Sequence, residues 1–185
     1  MYQRLTEFLE SRHATYETVT HPAAVTAQEQ AAVMHVPGQS VAKVLIVKER
    51  DGLAMAIVPA ASELDLDRFK GLIGHGDVRL ASVEEIRAVV PDCPAGSIPP
   101  FGALYGLRAF IDRGLLNVPE VTMPAGDPAS AIRLRWTEFE RLVDARPGDF
   151  AIPESMVAAG AVAQPRRRRR RRPTTPRRTP EGEQP

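Results

Sequence analysis

Apolar residues at Tyr2, Leu5, Phe8 and Leu9 recur at three- and four-residue spacing, the stripe of an amphipathic helix. Tyr16 to Thr20 reads as a strand, which His21-Pro22 breaks. Thr26-Ala27-Gln28-Glu29 has capping-box spacing, in which the Thr hydroxyl and the Glu carboxylate satisfy free helix N–H groups reciprocally, so a short helix is predicted through Met34. Lys43 to Lys48 is a continuous apolar run enclosed by charges, too short for a helix and rich in branched residues, and predicts a buried strand. Asp51-Gly52 predicts a two-residue turn, with Leu53 to Val58 as the return strand of a hairpin.

Asp65 caps a predicted helix whose buried side is Phe69, Leu72 and Ile73, and Gly74 stands where a left-handed C-terminal cap belongs. Ser82-Val83-Glu84-Glu85 and Thr137-Glu138-Phe139-Glu140 repeat the capping-box pattern. Val78 to Ala81, Ala109 to Asp112, Val118 to Met123 and Ile132 to Trp136 read as strands. Strands partly joined by a hairpin and partly separated by helices predict an α+β domain with a mixed sheet rather than a regular parallel repeat. The pattern weakens near Ala151. The expected organisation is one folded domain over residues 1–150, an Ala-rich linker over 151–164 and a disordered Arg/Pro-rich tail over 165–185.

Charge divides the chain into two unequal parts. The 24 Lys+Arg nearly balance the 23 Asp+Glu, giving +1 over 185 residues. Nine arginines lie between Arg166 and Arg178, however, so the first 164 residues carry 15 basic against 21 acidic side chains, a net −6, and the tail carries +7. The single cysteine, Cys93, excludes an intrachain disulfide framework, and the spacing of the four histidines fits no short metal-ligand motif. We assign no metal and no cofactor. No window reaches the roughly 18 consecutive apolar residues of a membrane span, and Met1-Tyr2-Gln3-Arg4 precedes no signal-peptide core, so a cytoplasmic protein without membrane partners is expected.

The candidate chemistry is concentrated in two places. In Asp92 to Gly102, Pro99 and Pro100 stiffen the backbone, while Gly96 and Gly102 permit close approach or positive φ. Such a loop is either a surface connector or a cradle whose N–H groups receive a carbonyl or oxyanion. Lys43 opens the buried strand. It either snorkels to water, binds an anionic group, or is desolvated to serve in proton transfer. Cys93 beside the loop invites a nucleophile reading, but no histidine lies near it in sequence, and a lone cysteine packs as a small apolar group.

The ordered set His21-Pro22, Thr26, Ala42-Lys43, Leu53 to Pro59, Leu64-Asp65-Leu66, Arg79-Leu80-Ala81-Ser82, Gly96 to Gly102 (GSIPPFG) and Ala125-Gly126 resembles the YbaK / prolyl-tRNA synthetase associated editing domain over about residues 2–146. The resemblance implies an α+β fold around a curved, barrel-like mixed sheet. It also implies trans-editing hydrolysis of mischarged aminoacyl-tRNA, of the Cys- or Ala-tRNA(Pro) type. Lys43 then matches the functional lysine, and Gly96, Ser97, Ile98, Pro99, Pro100, Phe101 and Gly102 match the substrate loop. Thr26 and His21 match positions near the pocket wall. Related sequences often carry a histidine after the stretch matching Ala125-Gly126-Asp127. Here Pro128 stands in its place, which leaves Asp127 as the polar pocket candidate.

The implied partners are aminoacyl-tRNA and an aminoacyl-tRNA synthetase. The run Arg166, Arg167, Arg168, Arg169, Arg170, Arg171 and Arg172 is a polycation able to bind RNA phosphates without reading bases; otherwise it is a solvated extension. The alternative to an enzyme is a catalytically inactive domain that binds RNA or an aminoacyl ligand as a regulatory module.

Overall fold

The computed structural model describes residues 2–74, 76–94 and 96–157. Residues 158–164 of the expected linker, the arginines Arg166 to Arg172 and His75 lie outside the described residues. The elements are α1 (Gln3–Ser11), β1 (Glu17–Thr20), α2 (Ala27–Val33), β2 (Ala42–Glu49), β3 (Gly52–Pro59), β4 (Ser62–Leu64), α3 (Leu66–Ile73), β5 (Arg79–Leu80), α4 (Val83–Val89), β6 (Arg108–Asp112), β7 (Glu120–Pro124), β8 (Ser130–Arg135), α5 (Trp136–Val143), β9 (Ala145–Gly148) and β10 (Ala151–Pro153). This is the α+β arrangement that the apolar pattern predicts.

The central sheet has the order β5-β2-β3-β6-β9 and is mixed: β2 pairs antiparallel with β3 and β5, whereas β3–β6 and β6–β9 are parallel. Both of its faces are covered, which is why β2 and β3 read as continuous apolar runs rather than alternating ones. On one face Ile46, Met55, Ile57 and Ile111 join Leu5, Leu9, Phe101 and Phe139. On the other, Val47, Ala56, Val58 and Phe110 meet Phe69 of α3 and Phe150. Phe69 packs edge-on against both phenylalanines, with ring centroids 5.2 Å away in each case.

A second sheet, β1-β8-β7, meets the first through the parallel bridge Val41–Thr122, and a third pairs β10 with β4. Among the described residues the strands thus form three hydrogen-bonded sheets, and the barrel-like sheet implied by the resemblance is not seen as one closed ladder.

Three local expectations are corrected. The β2–β3 register pairs Glu49 with Gly52, so the turn residues are Arg50 and Asp51, and Gly52 opens the return strand at φ 147°. Matching the buried faces of two long strands fixes the register and outweighs the preference of one turn dipeptide. The Thr137 capping box does not form: β8 runs directly into α5, Arg135 occupies the N-cap without a side-chain bond, and the Trp136 amide donates to the Pro119 carbonyl at 2.9 Å. Glu138 instead pairs with Arg141 and accepts from the Thr15 amide. The stretch from Ala151, read as the start of a linker, opens with β10. The buried Asp112 carboxylate draws it in by accepting the Phe150 and Ala151 amides, each at 2.7 Å. The Ala27 and Val83 helices do carry full capping boxes, on Thr26 and Ser82.

Candidate active site

A cleft of about 240 Å³ opens at the N-terminal end of β2, lined by Val25, Thr26, Ala27, Gln28, Lys43, Val44, Leu45, Gly96, Ile98 and Pro124. It is not the largest concavity. Two depressions of about 610 Å³ lie at the other end of the central sheet, both including Gly106, Leu107 and Arg108. The smaller cleft is singled out by its lining, in which the half-buried Lys43 lies among apolar walls and the glycine loop.

Three segments build the cleft. The first is the turn into α2, where Thr26 Oγ1 accepts from the Glu29 amide at 3.2 Å while Glu29 Oε2 accepts the Thr26 and Val25 amides at 3.0 Å each. Those amide bonds, Thr26 first and then Val25, hold the Glu29 carboxyl below its usual value. The second is the glycine loop. Gly96 takes φ +82°, and a Cβ there would sit 2.0 Å from the Val25 carbonyl oxygen, so only glycine permits this contact between the two segments. Gln30, buried in α2, seals the joint by donating to the carbonyls of Gly96 at 3.1 Å and Ala24 at 3.4 Å.

The third segment is β2, which presents Lys43. Its Nζ donates to the Ser62 carbonyl. Burial holds the Lys43 pKa below its ordinary value, and the carboxylates of Glu154 and then Glu63 offset only part of that effect.

Of the loop amides, Ser97 donates to Pro94 and Phe101 to Pro99, while Pro99 and Pro100 have none to give. The amides of Gly96 and Ile98, the two loop residues in the cleft wall, make no hydrogen bond to another described residue. Both residues line the same cleft as Lys43.

The structure therefore brings Lys43, Thr26, Gly96 and Ile98 into one cleft wall and places the other candidates elsewhere. Ser97, Pro99, Pro100, Phe101 and Gly102 are buried behind it. Phe101 is a core residue, with ring centroids 5.1 Å from Phe8 and 5.9 Å from Phe139. The Ser97 carbonyl accepts the Gly126 amide at 3.0 Å, joining the loop to the β7–β8 turn. Asp127 lies outside the cleft lining and accepts the Ala129 amide at 2.9 Å. Burial pushes its carboxyl up, but the bonds from Ala129 and Ser130 outweigh this and hold it low.

His21 is buried and also outside the lining. Its Nδ1 lies 2.8 Å from the Pro22 carbonyl, which requires a proton on that nitrogen and leaves Nε2 without a partner among the described residues. Pro128 accepts the Ala24 amide at 2.9 Å through its carbonyl.

Cys93 is buried, its Sγ 3.7 Å from the Gly126 carbonyl, and burial pushes its thiol pKa up, which disfavours the thiolate. Among the described residues, no three His, Cys, Asp or Glu side chains form a group able to hold a metal. None of their helices is long and apolar enough to cross a membrane.

Sequence reading missed Leu45, Gln28, Gln30 and Glu154. Leu45 was accessible to it, because it lies two residues from Lys43 on the same face of a strand. Gln28 and Gln30 sit in a helix it identified, but nothing local marked their roles. Glu154 carries no local signal at all.

A half-buried lysine thus shares one small cleft with the loop residues Gly96 and Ile98. Residues 21–142 match the aminoacyl-tRNA editing domain family, and the chain belongs to it. Relatives include the Proline--tRNA ligase of Thermosipho africanus (strain TCF52B), 35% identical over 101 residues, which cover 55% of this chain and 18% of that protein. That of Fervidobacterium nodosum is 31% identical over 104 residues, with the same coverage of 55% and 18%. The match thus spans under a fifth of the length of these ligases.

A crystal structure described as that of a candidate trans-editing enzyme for prolyl tRNA synthetase superposes with a TM-score of 0.71. It is 30% identical, and the match covers 81% of this chain and 96% of that one. The hypothetical protein APE2540 gives a TM-score of 0.73 at 23% identity, over 81% of this chain and 100% of its own, a likeness of fold alone.

Proposed function

We propose that this domain hydrolyses the ester of a mischarged aminoacyl-tRNA, with a small amino acid such as cysteine or alanine wrongly carried by a proline tRNA. The observation that carries this reading is that Lys43 lines one small cleft with Gly96 and Ile98, whose amides have no hydrogen-bond partner among the described residues. The relatives named for proline tRNA ligation and trans-editing support the choice of tRNA.

An aminoacyl ester is already activated, so its cleavage needs positioning and charge stabilisation more than a strong base. Water, or the thiol of a cysteinyl substrate, adds to the carbonyl carbon, and negative charge develops on the carbonyl oxygen. The Gly96 and Ile98 amides meet that charge. Lys43 holds the terminal phosphate or ribose and polarises the same carbonyl. The ester C–O bond then breaks, and the terminal ribose hydroxyl of the tRNA leaves with the proton of the attacking group. With a thiol attacker, the resulting cyclic thioester is opened by water. Val44, Leu45, Ile98 and Pro124 form apolar walls that favour a small side chain. The arginine run at Arg166 to Arg172 supplies salt-dependent affinity for the tRNA backbone.

The test is single-turnover deacylation of cysteinyl-, alanyl- and seryl-tRNA on a proline tRNA body, comparing wild type, Lys43→Ala and a chain ending at Gln164. One ester is hydrolysed rapidly by wild type, slowly by Lys43→Ala, and with salt-sensitive weakening after truncation. If tRNA binds but no ester is cleaved above buffer, the domain is a binding module.

A further inference from the structure

The family match ends at residue 142, yet the chain returns to the cleft afterwards. Asp112 accepts the Phe150 and Ala151 amides, and β10 then pairs with β4 in the register Ala151–Leu64, Ile152–Glu63 and Pro153–Ser62. The last pair is informative, because Ser62 is the residue whose carbonyl receives Lys43 Nζ. One residue further on, the Glu154 amide donates to the Ala61 carbonyl at 3.0 Å. That bond fixes the Glu154 backbone next to the lysine's anchor. The Glu154 carboxylate is itself held, with Oε1 accepting from Gln28 Nε2 at 2.5 Å, and Gln28 lines the cleft on α2.

We propose that Glu154 is a positioning residue for Lys43: its carboxylate, tethered to Gln28, balances and orients the Lys43 ammonium at the cleft, which makes β10 a working part of the site.

The charges around the lysine fit this role. Lys43 shares its surroundings with Glu154 after β10, Glu63 on β4, the neutral Gln28 on α2 and the Ser62 carbonyl. Glu29, also on α2, is engaged with the Val25 and Thr26 amides. Burial disfavours the ammonium, and Glu154 is the larger of the two opposing carboxylate influences. A partly desolvated lysine without such a neighbour loses its proton at lower pH, and with it the attraction for a phosphate or a developing oxyanion.

The inference rests on Lys43 acting as the charged group of a deacylase, so its test reads the lysine separately from turnover. The chain has only three lysines, Lys43, Lys48 and Lys70. Protein labelled with carbon-13 at lysine therefore gives three titrating signals, with Lys43 assigned by its loss in Lys43→Arg. In Glu154→Gln the Lys43 midpoint falls, because an opposite charge that favoured the ammonium is lost. Glu63→Gln lowers it less, and Glu154→Asp restores part of the shift. The alkaline limb of the single-turnover deacylation profile moves down by the same amount in Glu154→Gln, with the melting temperature unchanged. An unmoved Lys43 midpoint, or a moved midpoint with an unmoved alkaline limb, overturns the proposal. If the midpoint moves but wild type cleaves no ester, the pairing stands and the deacylase reading is what falls.

Discussion

Strand β2 carries ionisable groups at both ends of one face, Lys43 and Glu49, and the fold treats them in opposite ways. Glu49 is buried at 3% exposure, and its Oε1 accepts from Arg108 Nη2 at 2.6 Å across the sheet. Lys43 is only half-buried, makes its direct bond to a neutral carbonyl, and opens onto a cleft. A charge closed into a pair serves the fold, because removing its partner strands it in a poor solvent. A charge whose direct bond is to a carbonyl keeps a field available to an incoming anion. Under the proposed function, the same strand separates a structural end from a chemical end.

The largest effect is expected at the chemical end. Lys43→Ala lowers single-turnover deacylation about 10²- to 10³-fold, the scale of losing one preorganised charge-stabilising group, with little change in melting temperature. A large stability loss without a rate loss would place Lys43 in the same class as Glu49.

Gly96→Ala comes next. The added Cβ meets the Val25 carbonyl at 2.0 Å from a φ of +82°, so the loop and the α2 turn must separate. Deacylation falls at least about tenfold, and stability drops by about 1–3 kcal/mol in urea unfolding.

At the structural end, Arg108→Ala leaves Glu49 buried without its ion pair. Because the arginine side chain is 61% exposed, water softens the loss to about 1–3 kcal/mol, below the value for a fully buried pair. The deacylation rate per folded molecule stays at wild type. A fall in that rate would break the division between the two ends.

The smallest effect is also structural. Arg79, paired in register with Lys48 near that end, donates to both Glu85 carboxylate oxygens through Nη1 and Nη2. This bond first, then the Ser82 amide, holds the Glu85 carboxyl down to about 2 from an ordinary 4.5. A depressed carboxylate contributes stability that is present above pH 4.5 and is lost as pH falls towards 2. Glu85→Gln therefore flattens the acid side of the stability profile, measured by chemical unfolding, and leaves deacylation unchanged.

Legibility followed the range of the forces involved. The stripe of α1, the boxes on Thr26 and Ser82, the Asp65 cap and the apolar runs of β2 and β3 depend on residues within a few positions of one another, and all are present. The strand β9, Ala-Arg-Pro-Gly, was not legible: its proline and glycine read as breakers, and it forms only as an edge strand docked in parallel on β6. The Thr137 box fails for a related reason, since the end of β8 and the Pro119 carbonyl fix where α5 begins.

The same division holds at the site. Lys43, Thr26 and the Gly96 to Gly102 loop could be picked out because strand ends, caps and glycine/proline loops leave local marks. Which loop residues line the cleft, why Phe101 belongs to the core, and how Glu154 comes to lie next to Ser62, the residue that anchors Lys43, depend on contacts between segments far apart in the chain. Backbone propensity and apolar periodicity act over a few residues, so the sequence alone determined the elements and the chemical groups they carry. The burial that tunes a charge such as that of Lys43 exists only once distant segments have packed around it, because it depends on neighbours that no local stretch of chain supplies.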